Sequence, residues 1–141
     1  MSGQRVLMHA SCVAVSGRAV LITGPAGAGK SALALTLMAY GAGLVADDQT
    51  ELTHQDGQII ARCPPTLLGL IEARGVGLLT TTPVPYASLS LVVDLSQPEP
   101  DRLPPHRSVT ILGQPIDLVL GHGNAHLAAS IMCYLNGARR A

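Results

Sequence analysis

The residues best suited to chemistry lie together in GPAGAGKS, positions 24–31. Gly24 and Gly29 bracket Pro25, Ala26, Gly27 and Ala28 and are followed by Lys30 and Ser31, which is the spacing of a Walker A phosphate loop. In such a loop consecutive backbone N–H groups surround a β-phosphate at a helix N-terminus, and the lysine reaches the β- and γ-phosphates. Lys30 is the one lysine among nine Lys and Arg residues. The chain's single compact ammonium thus stands where a point charge must meet phosphate. Asp47 and Asp48 close the apolar run Leu44-Val45-Ala46. Acid at a strand end beside a phosphate loop is the Walker B arrangement that serves Mg2+ and its waters. Side chains alternate along a strand, so the two aspartates point to different sides and have different tasks.

Three other groups are weaker candidates. Glu72 and Arg74 lie in the glycine-rich stretch EARGVG, which suits close approach to a ligand and equally suits a surface ion pair. His9 falls in an apolar strand, where a satisfied structural histidine is the common outcome. His122 and His126 have helical i, i+4 spacing, but no third metal ligand is near them in sequence.

These groups need a strand, a turn and a helix in set places. The run 19–22 reads as a buried strand entering the loop and 31–38 as the helix leaving it, ending near Tyr40 with Gly41 and Gly43 as a left-handed C-cap. That helix is apolar on nearly every face, so it should be covered on more than one side. Residues 5–15 read as one strand, turned back by Ser16-Gly17-Arg18 into a hairpin with the strand before the loop. Residues 50–54 and 58–62 flank Asp56-Gly57 as a second hairpin. Residues 66–71 read as a short helical or turn segment, and strands are expected at 76–80, 89–95, 109–112 and 116–120. The proline-rich loop 96–108 is a candidate lid carrying Arg102 or Arg107, and a final helix is expected from Ala125 to about Gly137.

At 141 residues the chain fits one domain with its own core. A net charge of zero offers no basic stripe for nucleic acid and no polybasic segment for a membrane surface. No run is long enough to span a membrane, and the first residues lack a signal-peptide layout, so a cytoplasmic location is expected. Cys12, Cys63 and Cys133 form no C-x-x-C pair and read as apolar fillers. With no Trp or Phe, the core must be aliphatic.

In order and interval, MHASCVAV, GPAGAGKSALAL, LVADD, EARGVG and DRL resemble the bacterial HPr kinase/phosphorylase family, and the resemblance runs over nearly the whole chain. It implies a mixed α/β phosphate-loop fold, similar to the HPr kinase C-terminal domain and to phosphoenolpyruvate carboxykinase, rather than a plain doubly wound sheet. It implies an ATP- and Mg2+-dependent kinase that phosphorylates a serine of the phosphocarrier HPr. By the same resemblance His9, Lys30, Asp48 and Arg102 fall on active-site positions, with Asp48 (or Asp47) as the base, while Ser31 and Glu72 fall on Mg2+ ligands. The chain looks like the short alphaproteobacterial form without the separate N-terminal domain. It departs from the longer members at Ala32, where they have Glu, and at Leu120-Gly121-His122-Gly123-Asn124, which replaces a stretch tied to phosphorolysis. The resemblance therefore carries the forward reaction and leaves the reverse one, phosphorolysis of phosphoserine-HPr, to measurement. The longer members' hexamer is not assumed, because little of their C-terminal helical extension is present; a homo-oligomer stays open. Fold does not set function, so a small-molecule kinase and an inactive nucleotide-binding regulatory module are the alternatives.

Overall fold

The computed structural model of the protein describes residues 4–140; the first three residues, part of the signal-peptide comparison, lie outside that range. The strands are β1 (Arg5–Met8), β2 (Ser11–Val15), β3 (Arg18–Thr23), β4 (Gly43–Ala46), β5 (Thr50–Gln55), β6 (Gln58–Arg62), β7 (Leu70–Ala73), β8 (Gly77–Thr80), β9 (Ala87–Asp94), β10 (Arg107–Ile111) and β11 (Gln114–Leu120). Two helices, α1 (Lys30–Ala39) and α2 (Leu127–Asn136), complete the set with one 3-10 turn at Pro65–Leu67. Nine of the strands form one mixed sheet, and β7 and β8 form a separate hairpin.

The spine of the sheet is β3 lying parallel to β9, from Arg18 beside Ser88 to Thr23 beside Asp94. On the other side of β9 the sheet forks. The start of β9 pairs antiparallel with β6, through Ile60 and Ser88, while its end pairs parallel with β11, through Leu120 and Asp94. Beyond β3 come β2 and then β4, each antiparallel to its neighbour, so β4 runs in the same direction as β3. The carboxyl ends of β3, β4, β9 and β11 therefore gather at one end of the sheet. Loops at that end can converge on a ligand.

Both faces of the spine are covered, which is why 19–22 of β3 and 91–93 of β9 are unbroken apolar runs, while Ser88 and Ser90 interrupt the start of β9. Ala19 and Leu21 of β3 join Cys12, Leu52, Ile59 and Leu89 on one face. Val20 and Ile22 join Leu91 and Val93 on the other, under Ala34 and Leu37 of α1 and Ile131 and Leu135 of α2. The helix after the loop is covered on several sides, by β2, β3, β7 and α2, and leaves Ala32, Thr36 and Ala39 exposed.

Several boundaries differ from those expected. Residues 5–15 are two strands, because β1 leaves the hairpin partner β3 and pairs with β5 instead, Met8 lying beside Thr50. Gly41 is left-handed at φ 109, as the end of α1 requires, but Gly43 belongs to β4. Its lack of a side chain serves packing: a Cβ there would lie 2.4 Å from Val84 Cγ2. Residues 70–73 are extended, so Glu72 is on a strand and EARGVG is the turn of the β7–β8 hairpin. The final helix starts at Leu127, with His126 as its N-cap, so His122 lies in the preceding loop and the helical spacing of the two histidines does not apply. No helix among the described residues is long and apolar enough to cross a membrane.

Candidate active site

The loop between β3 and α1 has its three glycines at positive φ, 148° at Gly24, 83° at Gly27 and 95° at Gly29. At Gly24 a side chain is excluded twice over, by that backbone and by space, since a Cβ would lie 3.2 Å from Ala28 Cβ and 3.3 Å from Leu95 Cβ. Gly29 is the N-cap of α1 and no side chain caps the helix, so its leading N–H groups are available to an anion. The Lys30 ammonium lies over the same loop and donates to the carbonyls of Gly24 at 2.7 Å and Pro25 at 3.1 Å.

Asp47 lies behind this loop, buried, and its carboxylate is fully engaged. Oδ1 accepts from Ser31 Oγ at 2.7 Å and from Ser11 Oγ at 2.8 Å, and Oδ2 accepts from the Glu72 backbone N–H at 3.1 Å. One carboxylate thus ties the first turn of α1, the start of β2 and the middle of β7 together. Asp48 has the opposite character. It is exposed, and its backbone at φ 68° is bridged by a hydrogen bond from Gln49 N–H to the Asp47 carbonyl at 2.8 Å, a positive-φ γ-turn of the rare strained kind. The turn separates the two side chains, and Asp48 faces the cleft.

That cleft, of about 540 Å3, is lined by Ala26, Gly27, Gly29, Lys30 and Ser31 of the loop, by Asp48, and by Glu72, Arg74 and Val76 of the β7–β8 hairpin. Lys30, Ser31, Asp48 and Glu72 are brought together in it. Glu72 and Arg74 both face it and form no salt bridge with each other; the one ion pair among the described side chains is Arg107 with Glu99, at 2.9 Å. His9 is exposed in the two-residue link between β1 and β2, not inside a strand. Since β1 pairs with β5 and β2 with β4, that link runs beside residues 47–49, next to Asp48. Arg102 is exposed on the 95–106 loop and lines a different cleft, with His122, Asn124 and Arg139. The loop's base is pinned: Arg107 forks onto Glu99, holding its carboxyl below the usual carboxylate range, and Arg139 donates to the Pro104 carbonyl.

The cysteines divide three ways. Cys12 is buried in the core and burial pushes its thiol far up. Cys63 is half-buried, and its thiol is raised by burial and then by the charge of Asp47. Cys133 is exposed and fills nothing, contrary to expectation.

Among the described residues no three His, Cys, Asp or Glu side chains cluster as a self-sufficient metal site. Mg2+ does not need one; it takes one or two carboxylates and completes its shell with phosphate oxygens and water. The Ser31 hydroxyl held by Asp47, with the Glu72 carboxylate across the cleft, fits such a partial donor set. Sequence reasoning missed Ser11, the buried second donor to Asp47. Its one signal is a polar residue opening the otherwise apolar run Ser11-Cys12-Val13-Ala14.

A phosphate-loop conformation at the end of β3, a buried aspartate at the end of the like-directed β4 and a forked mixed sheet together define an α/β fold of the phosphate-loop kinase type. The chain belongs to the HPr serine kinase C-terminal domain family, whose model matches residues 2–103. It is 39% identical over 127 residues to the HPr kinase/phosphorylase of Aromatoleum aromaticum, covering 80% of this chain and 41% of that protein. The HPr kinase/phosphorylase of Cupriavidus metallidurans is likewise 39% identical, over 131 residues, with 84% and 41% covered. The chain thus spans about two fifths of the length of these relatives. The structure of the HPr(Ser) kinase/phosphatase from Coxiella burnetii superposes with a TM-score of 0.79 at 30% identity, over 93% of this chain and 94% of that one. That coverage extends the shared fold past residue 103 into the C-terminal part of the chain.

Proposed function

We propose that the chain is an ATP- and Mg2+-dependent protein serine kinase whose acceptor is the phosphocarrier HPr, acting in the cytoplasm. The observation that carries this reading is the single cleft in which Lys30, Ser31, Asp48 and Glu72 meet, with Asp47 locked onto Ser31 from behind. The names of the relatives support the choice of acceptor.

Phosphoryl transfer to a serine hydroxyl needs phosphates held in line, charge neutralised and a carboxylate to receive the hydroxyl proton. The loop amides from Gly24 to Ser31 and the Lys30 ammonium hold the phosphates; on binding, the ammonium exchanges the carbonyls of Gly24 and Pro25 for phosphate oxygens. Ser31 and Glu72 would hold Mg2+, which would supply charge neutralisation. Asp48 is the base. Asp47 is spent on three donors, whereas Asp48 faces the cleft with its carboxylate open to an incoming hydroxyl. As the serine oxygen bonds to the γ-phosphorus, its proton passes to Asp48 and the bond to the β–γ bridging oxygen breaks, releasing ADP. His9, beside the 47–49 turn, orients Asp48. Arg102 contributes charge to the transferring group as the exposed tip of its loop folds over the phosphates.

The purified protein incubated with ATP, Mg2+ and HPr should add one phosphate to the carrier, read by intact mass. Lys30→Ala and Asp48→Asn should each lower the rate by about 10²-fold or more, as removal of a transition-state charge contact does. An unmodified carrier, or full activity in Lys30→Ala, overturns the reading. The same mixture supplied with phosphorylated HPr and inorganic phosphate measures any reverse reaction.

A further inference from the structure

A second cleft of about 280 Å3 lies on the side of the phosphate loop away from Asp48. Ala28, Gly29, Leu33 and Thr36 form one wall; Leu95, at the end of β9, and residues 121–128, after β11, form the other. Gly29 lines both clefts, so they meet the same loop from its two sides.

The direction of a bound triphosphate follows from the chemistry proposed above. In an in-line transfer the acceptor oxygen and the leaving β–γ oxygen stand on opposite sides of the γ-phosphorus. Asp48 and Glu72 mark the acceptor and metal side, so the α-phosphate and whatever it carries leave toward β9 and β11. That is where the second cleft opens.

Its lining suits a flat heterocycle. Leu33, Leu95 and Leu127 supply aliphatic surface, and none of the chain's three tyrosines is present to stack on a base. The N–H groups of Gly123 and Ala125 make no hydrogen bond within the described residues. The Asn124 side-chain oxygen is taken by the His126 N–H at 2.9 Å, which leaves the amide NH2 as a donor. The loop bearing these groups is rigid in shape. Gly121 and His122 donate their N–H groups to Asp94 and Gln97, at 2.9 and 3.1 Å, and a Cβ on Gly121 would lie 2.6 Å from Leu127 Cδ2.

We propose that this cleft holds the nucleoside of the bound nucleoside triphosphate, and that it reads the purine through peptide N–H groups and one amide, so that adenine and guanine are accepted nearly alike. The proposal rests on the reading of the phosphate loop as a nucleoside triphosphate site. Side-chain pairs that match one base edge confer strong discrimination because the wrong base leaves buried groups unpaired. Donors on exposed residues of a loop leave no such penalty, since water serves them in either case.

The test measures affinities of ATP, GTP and inorganic triphosphate, each with Mg2+, for the wild type and for two blocking variants, Thr36→Trp and Ala128→Trp. ATP and GTP should bind within about fivefold of each other and both at least about tenfold tighter than inorganic triphosphate. Each tryptophan should bring ATP to within about threefold of inorganic triphosphate while leaving inorganic triphosphate itself unchanged. Thr36 is exposed on α1, so that variant keeps its fold, and a melting temperature confirms it. ATP binding untouched by both tryptophans overturns the proposal, as does a preference for ATP over GTP of about a hundredfold. If the wild type binds neither ATP nor inorganic triphosphate, the phosphate-loop reading falls and this proposal with it. If ATP binds as described and HPr stays unmodified, the acceptor assignment alone fails.

Discussion

Ser11, at the start of β2, is fully buried, and its hydroxyl shares Asp47 Oδ1 with Ser31. A buried polar side chain with one committed partner is there to hold that partner in place. Ser11→Ala should therefore leave the affinity for the acceptor unchanged, raise the Mg2+ concentration needed for half-maximal rate and lower kcat by about tenfold, the usual cost of losing a supporting contact around a metal ligand. Ser11→Thr, which keeps the hydroxyl, should recover part of the rate. An Mg2+ dependence unchanged in Ser11→Ala would show that the bond is only structural. At this scale the sequence was legible for Gly24, Lys30 and Ser31, because a phosphate loop is local and its spacing carries its geometry. It was not legible for the choice between Asp47 and Asp48. Alternation says only that the two diverge; which one is buried depends on Ser11 and β7, 36 and 25 positions away in the chain.

Elements bring the site together, and two long-range clamps hold the elements. Arg18, the first residue of β3, donates to the carbonyls of Leu135 at 2.7 Å and Gly137 at 2.9 Å, and its guanidinium lies 5.8 Å from the Tyr134 ring centre. No basic residue stands in the last turn of α2, so Arg18 supplies the cation that its carbonyl end favours. Arg18→Ala should destabilise the protein by about 1.5–3 kcal/mol in denaturant unfolding, the range for hydrogen bonds to a charged group. Tyr134 ties α2 to β11 by donating its hydroxyl to Asp117. Burial, and then that carboxylate, push the Tyr134 phenol from 10.0 up to about 12. A pKa raised on folding contributes stability that is complete below the unfolded value and lost as pH rises through the folded one. Thermal melts should therefore show a drop in stability between pH 10 and about 12 that is smaller in Tyr134→Phe. Equal drops in both proteins would remove Tyr134 from the account. The β7–β8 hairpin shows why Glu72 was ambiguous: the glycines of EARGVG suggested a loose loop, whereas Gly75 and Gly77 serve the turn that aims a strand at the cleft.

For the whole molecule, the gathering of four strand ends on one side means that a nucleotide would bridge α1, β4, the hairpin and the loop after β11 at once. Binding only the folded form, it should stabilise all of them together. ATP with Mg2+ at a hundred times its dissociation constant should add about 2.7 kcal/mol to unfolding, visible as a raised melting temperature, and Lys30→Ala should lose most of that rise. No shift at saturating ATP in the wild type would contradict a nucleotide site anywhere in this fold.

By itself the sequence determined the phosphate loop, the strand and helix on either side of it, the Asp56-Gly57 hairpin and an aliphatic core, because each depends on neighbours within a few residues. Tertiary structure decided the rest. The split of residues 5–15 into β1 and β2 follows from competition between β3 and β5 as partners, which no local pattern records. The fork at β9 sends β6 and β11 to the same edge of one strand, and pairing of its end with β11 sets the loop after β11 beside Leu95. The placing of Asp47 behind Ser31, with Asp48 turned outward by a positive-φ γ-turn, made one of two adjacent carboxylates a buried support and left the other exposed at the cleft. Burial and hydrogen bonding separated them, and both are properties of what the folded chain brings alongside.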